Sequence, residues 1–301
     1  MKDNKNTKTG KLSGVGVALI TPFRKNGQVD FTSLEAIVHR CIDGGVDFLV
    51  LLGTTAEAPV LTDREKVAVC ETVISFNNGR LPLVLGLGGN DTRAVLEKIK
   101  ETQLDDFSYL LSVAPFYNKP GQKGLLEHFR LVANNSPIPV IAYNIPSRTG
   151  VNIEASTLVK IAEEAPNLVA VKEASGNIAQ ISDIIRSCPS NFSVLSGDDS
   201  MTFPLMCLGG DGVISTTANL LPKQMCNLVH LSQAGQWQES RRVHYQILNI
   251  MRLLFEQGNP AGVKAGLASM KLCENVLRLP LTKVNLDLYK RIEEKISALD
   301  L

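Results

Sequence analysis

From residue 14 onward the chain repeats one unit: a short apolar run, a polar turn, then a longer segment of helical period. The apolar runs fall at 15–20, 47–52, 82–87, 109–114, 139–144, 168–173, 192–196 and 212–216. They are continuous rather than alternating, as parallel strands covered on both faces are. The segments between them, at 32–44, 62–77, 91–103, 122–135, 154–164, 177–187, 200–208 and 222–233, are amphipathic. Several open on helix start signals: Asp30 and Thr32, the capping box Thr62-Asp63-Arg64-Glu65, and Asn90-Asp91. Eight β-then-α units predict a (β/α)8 TIM barrel over 14–235. A doubly wound sheet would carry G-x-G-x-x-G in its first turn. Here that turn reads Thr21-Pro22-Phe23, and the series Gly86, Gly88, Gly89 breaks off at Asp91. These glycines read instead as a tight turn leaving the third strand.

Beyond residue 235 the period is helical throughout, at 236–257, 260–273 and 283–298, with breaks at Gly258-Asn259-Pro260 and Leu279-Pro280. A C-terminal helical domain over 236–301 follows, with no evident chemistry and a role in packing and assembly. Residues 1–13 are polar and lack a signal-peptide core, so they read as a flexible leader. No apolar run is long enough to span a bilayer. A formal net charge of +1 gives no reason for a nucleic-acid or membrane-surface partner. A soluble, cytoplasmic protein is expected. The six cysteines form no C-x-x-C pair and read as buried, reduced thiols. His39, His128, His230 and His244 have no metal-ligand spacing, so neither a metal nor a cofactor is expected.

In such a barrel the chemistry collects at the C-terminal ends of the strands. The sixth run, Leu168-Val-Ala-Val-Lys-Glu173, ends on Lys172. Apolar surroundings disfavour an ammonium, and a neutral amine attacks carbonyls. The alternative is a strand-end lysine whose charged head reaches water. The other strand ends bear on that choice. Strand 2 ends in Gly53-Thr54-Thr55-Ala56-Glu57, strand 4 in Phe116-Tyr117-Asn118, and strand 5 in Tyr143-Asn144-Ile145-Pro146-Ser147-Arg148-Thr149-Gly150. Strand 7 ends in Ser196-Gly197-Asp198-Asp199 and strand 8 in Gly212-Val213-Ile214-Ser215. An amine, two phenols, paired hydroxyls and an arginine on one rim suit small carboxylated carbonyl compounds.

Gly53-Thr54-Thr55-x-Glu57, Tyr143 to Gly150, Val171-Lys172-Glu173-Ala174-Ser175-Gly176 and Leu195-Ser196-Gly197-Asp198-Asp199 resemble the dihydrodipicolinate synthase (4-hydroxy-tetrahydrodipicolinate synthase) family of pyruvate-dependent class I aldolases. The resemblance runs from about residue 13 to the C-terminal helices. It implies a lyase of the diaminopimelate route to lysine. Lys172 would form a Schiff base with pyruvate, and the derived enamine would attack L-aspartate 4-semialdehyde. It further implies that Tyr143 is the acid/base, with Thr54 and Tyr117 completing a proton relay and Tyr117 arriving from a neighbouring subunit. Thr55 would bind the pyruvate carboxylate, Arg148 the carboxylate of the aldehyde, and Gly197 and Ile214 would line the lysine side of the pocket. A homotetramer built as a dimer of dimers is implied as well. Related aldolases of the N-acetylneuraminate lyase and 2-keto-3-deoxygluconate aldolase types share the barrel and the lysine. A barrel that binds pyruvate without catalysis is a further alternative. Thr54-Thr55 and Arg148 favour the synthase.

Two departures from the family pattern stand out. Ala56 replaces a glycine, which would strain the turn if that position required positive φ. Lys66, Ala94 and Phe116 occupy the positions at which feedback-inhibited members hold lysine, while Asn90 is retained. The expectation is weak or absent inhibition by lysine.

Overall fold

The structure, a computed structural model, describes residues 11–299. Residues 1–10, most of the expected leader, lie outside them. The eight apolar runs form strands β1 (Gly14–Ala18), β2 (Phe48–Leu51), β3 (Leu83–Gly86), β4 (Tyr109–Val113), β5 (Val140–Asn144), β6 (Leu168–Glu173), β7 (Ser193–Ser196) and β8 (Gly212–Ser215). All pair in parallel and in sequence order, and β8 pairs back onto β1 to close the barrel. Around it lie α1 (Phe31–Asp43), α2 (Asp63–Asn77), α3 (Thr92–Glu101), α4 (Gln122–Asn135), the single turn α5 (Pro146–Thr149), α6 (Ala155–Glu164), α7 (Ile178–Ser187), α8 (Thr202–Cys207) and α9 (Pro222–Gln233). The C-terminal segment forms α10 (Trp237–Phe255), α11 (Ala261–Ser269) and α12 (Leu286–Ser297). α10 lies along α9, and α11 and α12 pack against α10.

The start signals work as the sequence suggests. Asp30 accepts the Ser33 N–H, Thr62 and Glu65 form a reciprocal capping box, and Asp91 accepts from Arg93 and Ala94. Each such cap is worth about 1 kcal/mol.

Strand alternation divides the apolar residues into two shells. Leu49, Leu110, Val140, Ala142, Val171, Val194 and Val213 face the helices. Phe48, Val50, Val84, Leu111, Ile141, Ala170, Leu195 and Ile214 fill the barrel interior, which is therefore a packed core and not a pore. Leu12 joins this inner shell from the N-terminal side, and Lys11 pairs with Asp211 at 2.8 Å. Gly86, read above as part of a tight turn, has another task. A Cβ there would fall 2.5 Å from the Leu52 carbonyl oxygen, so glycine lets the β2 loop lie against β3.

All six cysteines are free, but they are not uniformly buried: Cys41 and Cys226 are, whereas Cys207 is exposed. Cys207 lies in the last turn of α8, beyond the apolar face that this short helix turns to the barrel. No described helix is long and apolar enough to cross a membrane.

Candidate active site

An irregularity in β6 decides which way its lysine points. Val140 pairs with Leu168, but Ile141 pairs with Ala170, so Val169 is an extra residue on the β6 side. Such a bulge reverses the in–out phase of the strand beyond it. Leu168 faces the helices, Val169 and Ala170 both turn toward the interior, and Val171 faces the helices again. Lys172 therefore enters the barrel. An unbroken alternation from Leu168 would have turned it outward. The same register sets Lys172 directly beside Tyr143.

Lys172 is 6% exposed, and its Nζ lies 4.3 Å from the centroid of the Tyr143 ring. Burial pushes its pKa down to about 8; the Asp199 carboxylate opposes this and the Arg148 guanidinium adds to it. The shift corresponds to about 3 kcal/mol against the charged form. An ordinary lysine is neutral to only a few parts in ten thousand at pH 7, whereas one at pKa about 8 is neutral to about a tenth. Val171 turns to the helix side. The apolar wall facing Lys172 comes from Ala170, Leu195 and Ile214 of the inner shell. Gly197 makes room for the lysine stem: a Cβ there would fall 3.1 Å from Lys172 Cγ and 2.7 Å from Ala174 Cβ.

Tyr143 is buried, which pushes its phenol up to about 12, against the pull of the Arg148 charge and the Thr54 hydroxyl. Thr55 is buried. Its Oγ1 lies 3.3 Å from Thr216 Oγ1 and accepts from Asn259 Nδ2 at 2.9 Å. Ala56 has no positive φ and sits in a 3-10 turn that alanine enters freely; the left-handed residues of this loop are Leu52 and Glu57. Arg148 rides on the single turn α5, closed by Gly150 at φ 73, and donates from Nη2 to the Asn259 carbonyl at 3.1 Å. Behind the rim, Glu173 accepts from Asn144 Nδ2 at 2.9 Å and from the Ser175 N–H at 2.7 Å, tying the ends of β5 and β6 together.

The fold thus gathers Lys172, Tyr143, Thr54, Thr55, Arg148, Gly197 and Ile214 at one end of the barrel. Tyr117 stands apart. It is 88% exposed, at φ 71, beside the exposed Phe116.

Sequence reasoning missed two participants. Asn259 was legible only as a break between helices, yet it touches both Thr55 and Arg148. Its Oδ1 is buried without a donor. Asp199 is buried and accepts from Thr216 N, Thr217 N and Thr217 Oγ1 at 3.2, 2.8 and 2.7 Å. Its position after Gly197-Asp198 was visible in sequence; its influence on Lys172 was not.

Known proteins resemble the chain over nearly its whole length. The profile of the dihydrodipicolinate synthetase family matches residues 11–299. The chain is 46% identical over 290 residues to a 4-hydroxy-tetrahydrodipicolinate synthase of Parabacteroides distasonis, covering 96% of this chain and 98% of that one. It is 48% identical over 280 residues to the synthase of Flavobacterium psychrophilum, covering 93% and 96%. Among solved structures, dihydrodipicolinate synthase from Thermotoga maritima superposes with a TM-score of 0.93 at 36% identity, covering 95% of this chain and 98% of that one. The enzyme from Aquifex aeolicus gives 0.91 at 39%, covering 95% and 97%. The chain belongs to the dihydrodipicolinate synthetase family.

Proposed function

We infer that the chain condenses pyruvate with L-aspartate 4-semialdehyde as a 4-hydroxy-tetrahydrodipicolinate synthase, and that the rim residues divide the work as follows. The observation that carries the reading is a buried lysine of lowered pKa, without an ion-pair partner among the described residues, against a buried tyrosine. Neutral Lys172 adds to the ketone of pyruvate, and the adduct takes up a proton and loses water to give an iminium. The iminium draws electrons from the adjacent methyl, which loses a proton to give an enamine. The enamine carbon attacks the aldehyde, the substrate amine then displaces Lys172 from the imine carbon, and the ring closes.

Tyr143, whose ring centroid lies 4.3 Å from Lys172 Nζ, moves the protons, since a phenol kept protonated by burial is a competent acid. Thr54 connects it toward Tyr117 of a second copy, and the exposure of Tyr117 in a single chain supports that assignment. Thr55, with its hydroxyl fixed by Asn259, receives the pyruvate carboxylate. Arg148 receives the carboxylate of the aldehyde as a planar fork. Gly197 and Ile214 line the lysine side. The assembly is a homotetramer of paired dimers, the catalytic barrel spans 14–235 with the helical domain after it, and the enzyme works in the cytoplasm.

Borohydride reduction in the presence of pyruvate, followed by peptide mass mapping, tests the reading. A single adduct on Lys172 is expected. Absence of trapping in active enzyme, or an adduct on another lysine, overturns it.

A further inference from the structure

The loop carrying Thr54 and Thr55 is held between two residues in an unfavourable conformation. Leu52 at φ 54 and Glu57 at φ 55 are both left-handed and neither is glycine. Each costs about 1–2 kcal/mol, and such residues persist where their surroundings over-determine them. Gly86 closes against the backbone at the Leu52 end. At the other end the constraint is electrostatic. The Glu57 side chain is wholly buried and pairs with Lys264 Nζ on α11, whose side chain is equally buried. The second Glu57 oxygen accepts the Arg278 N–H at 3.1 Å. Lys264 also donates to the Val276 carbonyl at 3.0 Å and lies 4.0 Å from the centroid of the Phe23 ring. The Arg278 guanidinium covers the same ring and bonds Gly27, Val60 and Glu65.

None of these groups reaches the reacting atoms. Burying an ion pair gains little net stability, because desolvation offsets the attraction; apolar residues of similar volume often serve as well or better. What an apolar pair lacks is direction. Two charge-assisted bonds onto one carboxylate fix where residue 57 stands and how its backbone turns. Thr55 lies two residues away, and the same C-terminal segment delivers Asn259 to its hydroxyl.

We propose that the Glu57–Lys264 pair is a positioning device for the first substrate, locking the Thr54–Thr55 turn at the depth where Thr55 receives the pyruvate carboxylate. This rests on the role given to Thr55 above. Releasing the lock weakens the hold on pyruvate and leaves Lys172, on the opposite side of the barrel, with its surroundings intact.

The test is the double variant Glu57→Met, Lys264→Met, which removes both charges and leaves neither buried alone. Thermal unfolding checks that it folds. The expected result is a KM for pyruvate raised tenfold or more, a kcat at saturating pyruvate lowered less than threefold, and an unchanged acid limb in the pH profile. A folded double variant with the wild-type KM overturns the proposal. Should the double variant not fold, Glu57→Asp decides by the same criterion: it keeps the charge and withdraws it by one methylene. Thr55→Val separates the inference from the reading beneath it. A raised KM in Thr55→Val with a wild-type KM in the double variant sinks the positioning role alone. A wild-type KM in Thr55→Val sinks the role given to Thr55, and with it the route proposed for the pair.

Discussion

Lys172 and Lys264 are both buried lysines, and each has an aromatic ring near its ammonium, Tyr143 at 4.3 Å and Phe23 at 4.0 Å. In each, burial disfavours the charged form. The difference lies in what answers the burial. Lys264 has a carboxylate in contact and a carbonyl to complete its bonds. Among the described residues, Lys172 has only the more distant pull of Asp199. A compensated amine keeps its proton and fastens one part of the fold to another. An uncompensated amine gives its proton up easily and stays available as a nucleophile. Within one chain, the presence or absence of a contacting carboxylate separates a fastener from a reagent.

The largest expected effect tests the uncompensated half. Lys172→Met abolishes turnover and pyruvate trapping, a loss of at least about ten-thousandfold for a covalent nucleophile. The same change stabilises the fold. The Lys172 pKa is lower in the folded than in the unfolded chain, so the unfolded chain binds the extra proton. The native state then carries a penalty of about 3 kcal/mol that is complete below about pH 8 and vanishes as pH rises through the ordinary lysine value. Denaturant melts of both proteins at pH 7 and above pH 10 read it. A stability gain at pH 7 that disappears at the higher pH is expected; equal stability at both would mean that Lys172 is not strained by burial.

The compensated half predicts the reverse. Lys264→Met leaves Glu57 as a buried charge without its partner, and removing one member of such a pair costs about 3–5 kcal/mol. Its melting temperature should fall well below that of wild type, while borohydride still finds Lys172 in the folded fraction. A stable Lys264→Met would mean that the pair is not electrostatically coupled.

How much of this contrast the sequence showed follows from where each signal lives. The barrel was legible because eight continuous apolar runs at regular spacing are a local pattern, and the caps at Asp30, Thr62 and Asp91 are local too. Lys172, Tyr143 and Arg148 stood out because strand ends of a barrel converge whatever their separation along the chain. Lys264 carried no such mark. Its partner lies 207 residues away, and the helix around it reads as ordinary apolar packing. Asn259 was hidden for the same reason, as a turn residue whose contact with Thr55 exists only once α10 and α11 are docked. The inward direction of Lys172 itself depends on the extra residue at Val169, which a continuous apolar run conceals.

A smaller effect probes the distant charge that Lys172 does have. Three charged or titratable groups act on it: Tyr143 from β5, Arg148 from α5 and Asp199 from the turn after β7. Tyr143, held at about 12, does not titrate in the working range. The kcat/KM for pyruvate should therefore rise with pH and level off above about 8, as neutral Lys172 accumulates. Asp199→Asn removes the charge that holds the Lys172 proton on, so the plateau moves to lower pH. The change at pH 7 is less than about tenfold. A plateau moved upward, or left in place, would show that Asp199 does not act on Lys172.

The smallest expected effect concerns lysine as a ligand. Lys66, on the outer face of α2, is the opposite of both buried lysines: half-exposed and paired with Asp63 at 3.2 Å, a surface contact worth less than about 1 kcal/mol. It stands where the resemblance places a lysine-binding histidine, with Ala94 on α3 in place of a glutamate and Phe116 in place of a tyrosine. Asn90 is retained, and its carbonyl is already occupied by Asn118 Nδ2 at 2.9 Å. A free lysine arriving there finds its ammonium opposed by another ammonium, with no carboxylate at position 94 to answer it. Neither half of the contrast between Lys172 and Lys264 is reproduced, because the one carboxylate beside Lys66 among the described residues, Asp63, is already shared between Lys66 and Lys98. We propose that L-lysine at about millimolar concentration changes the rate by less than about twofold, within what a surface contact of this strength supplies. Ala94→Glu, which restores the counter-charge, should introduce measurable inhibition. Strong inhibition of the wild-type enzyme would mean that lysine is held by other groups than these.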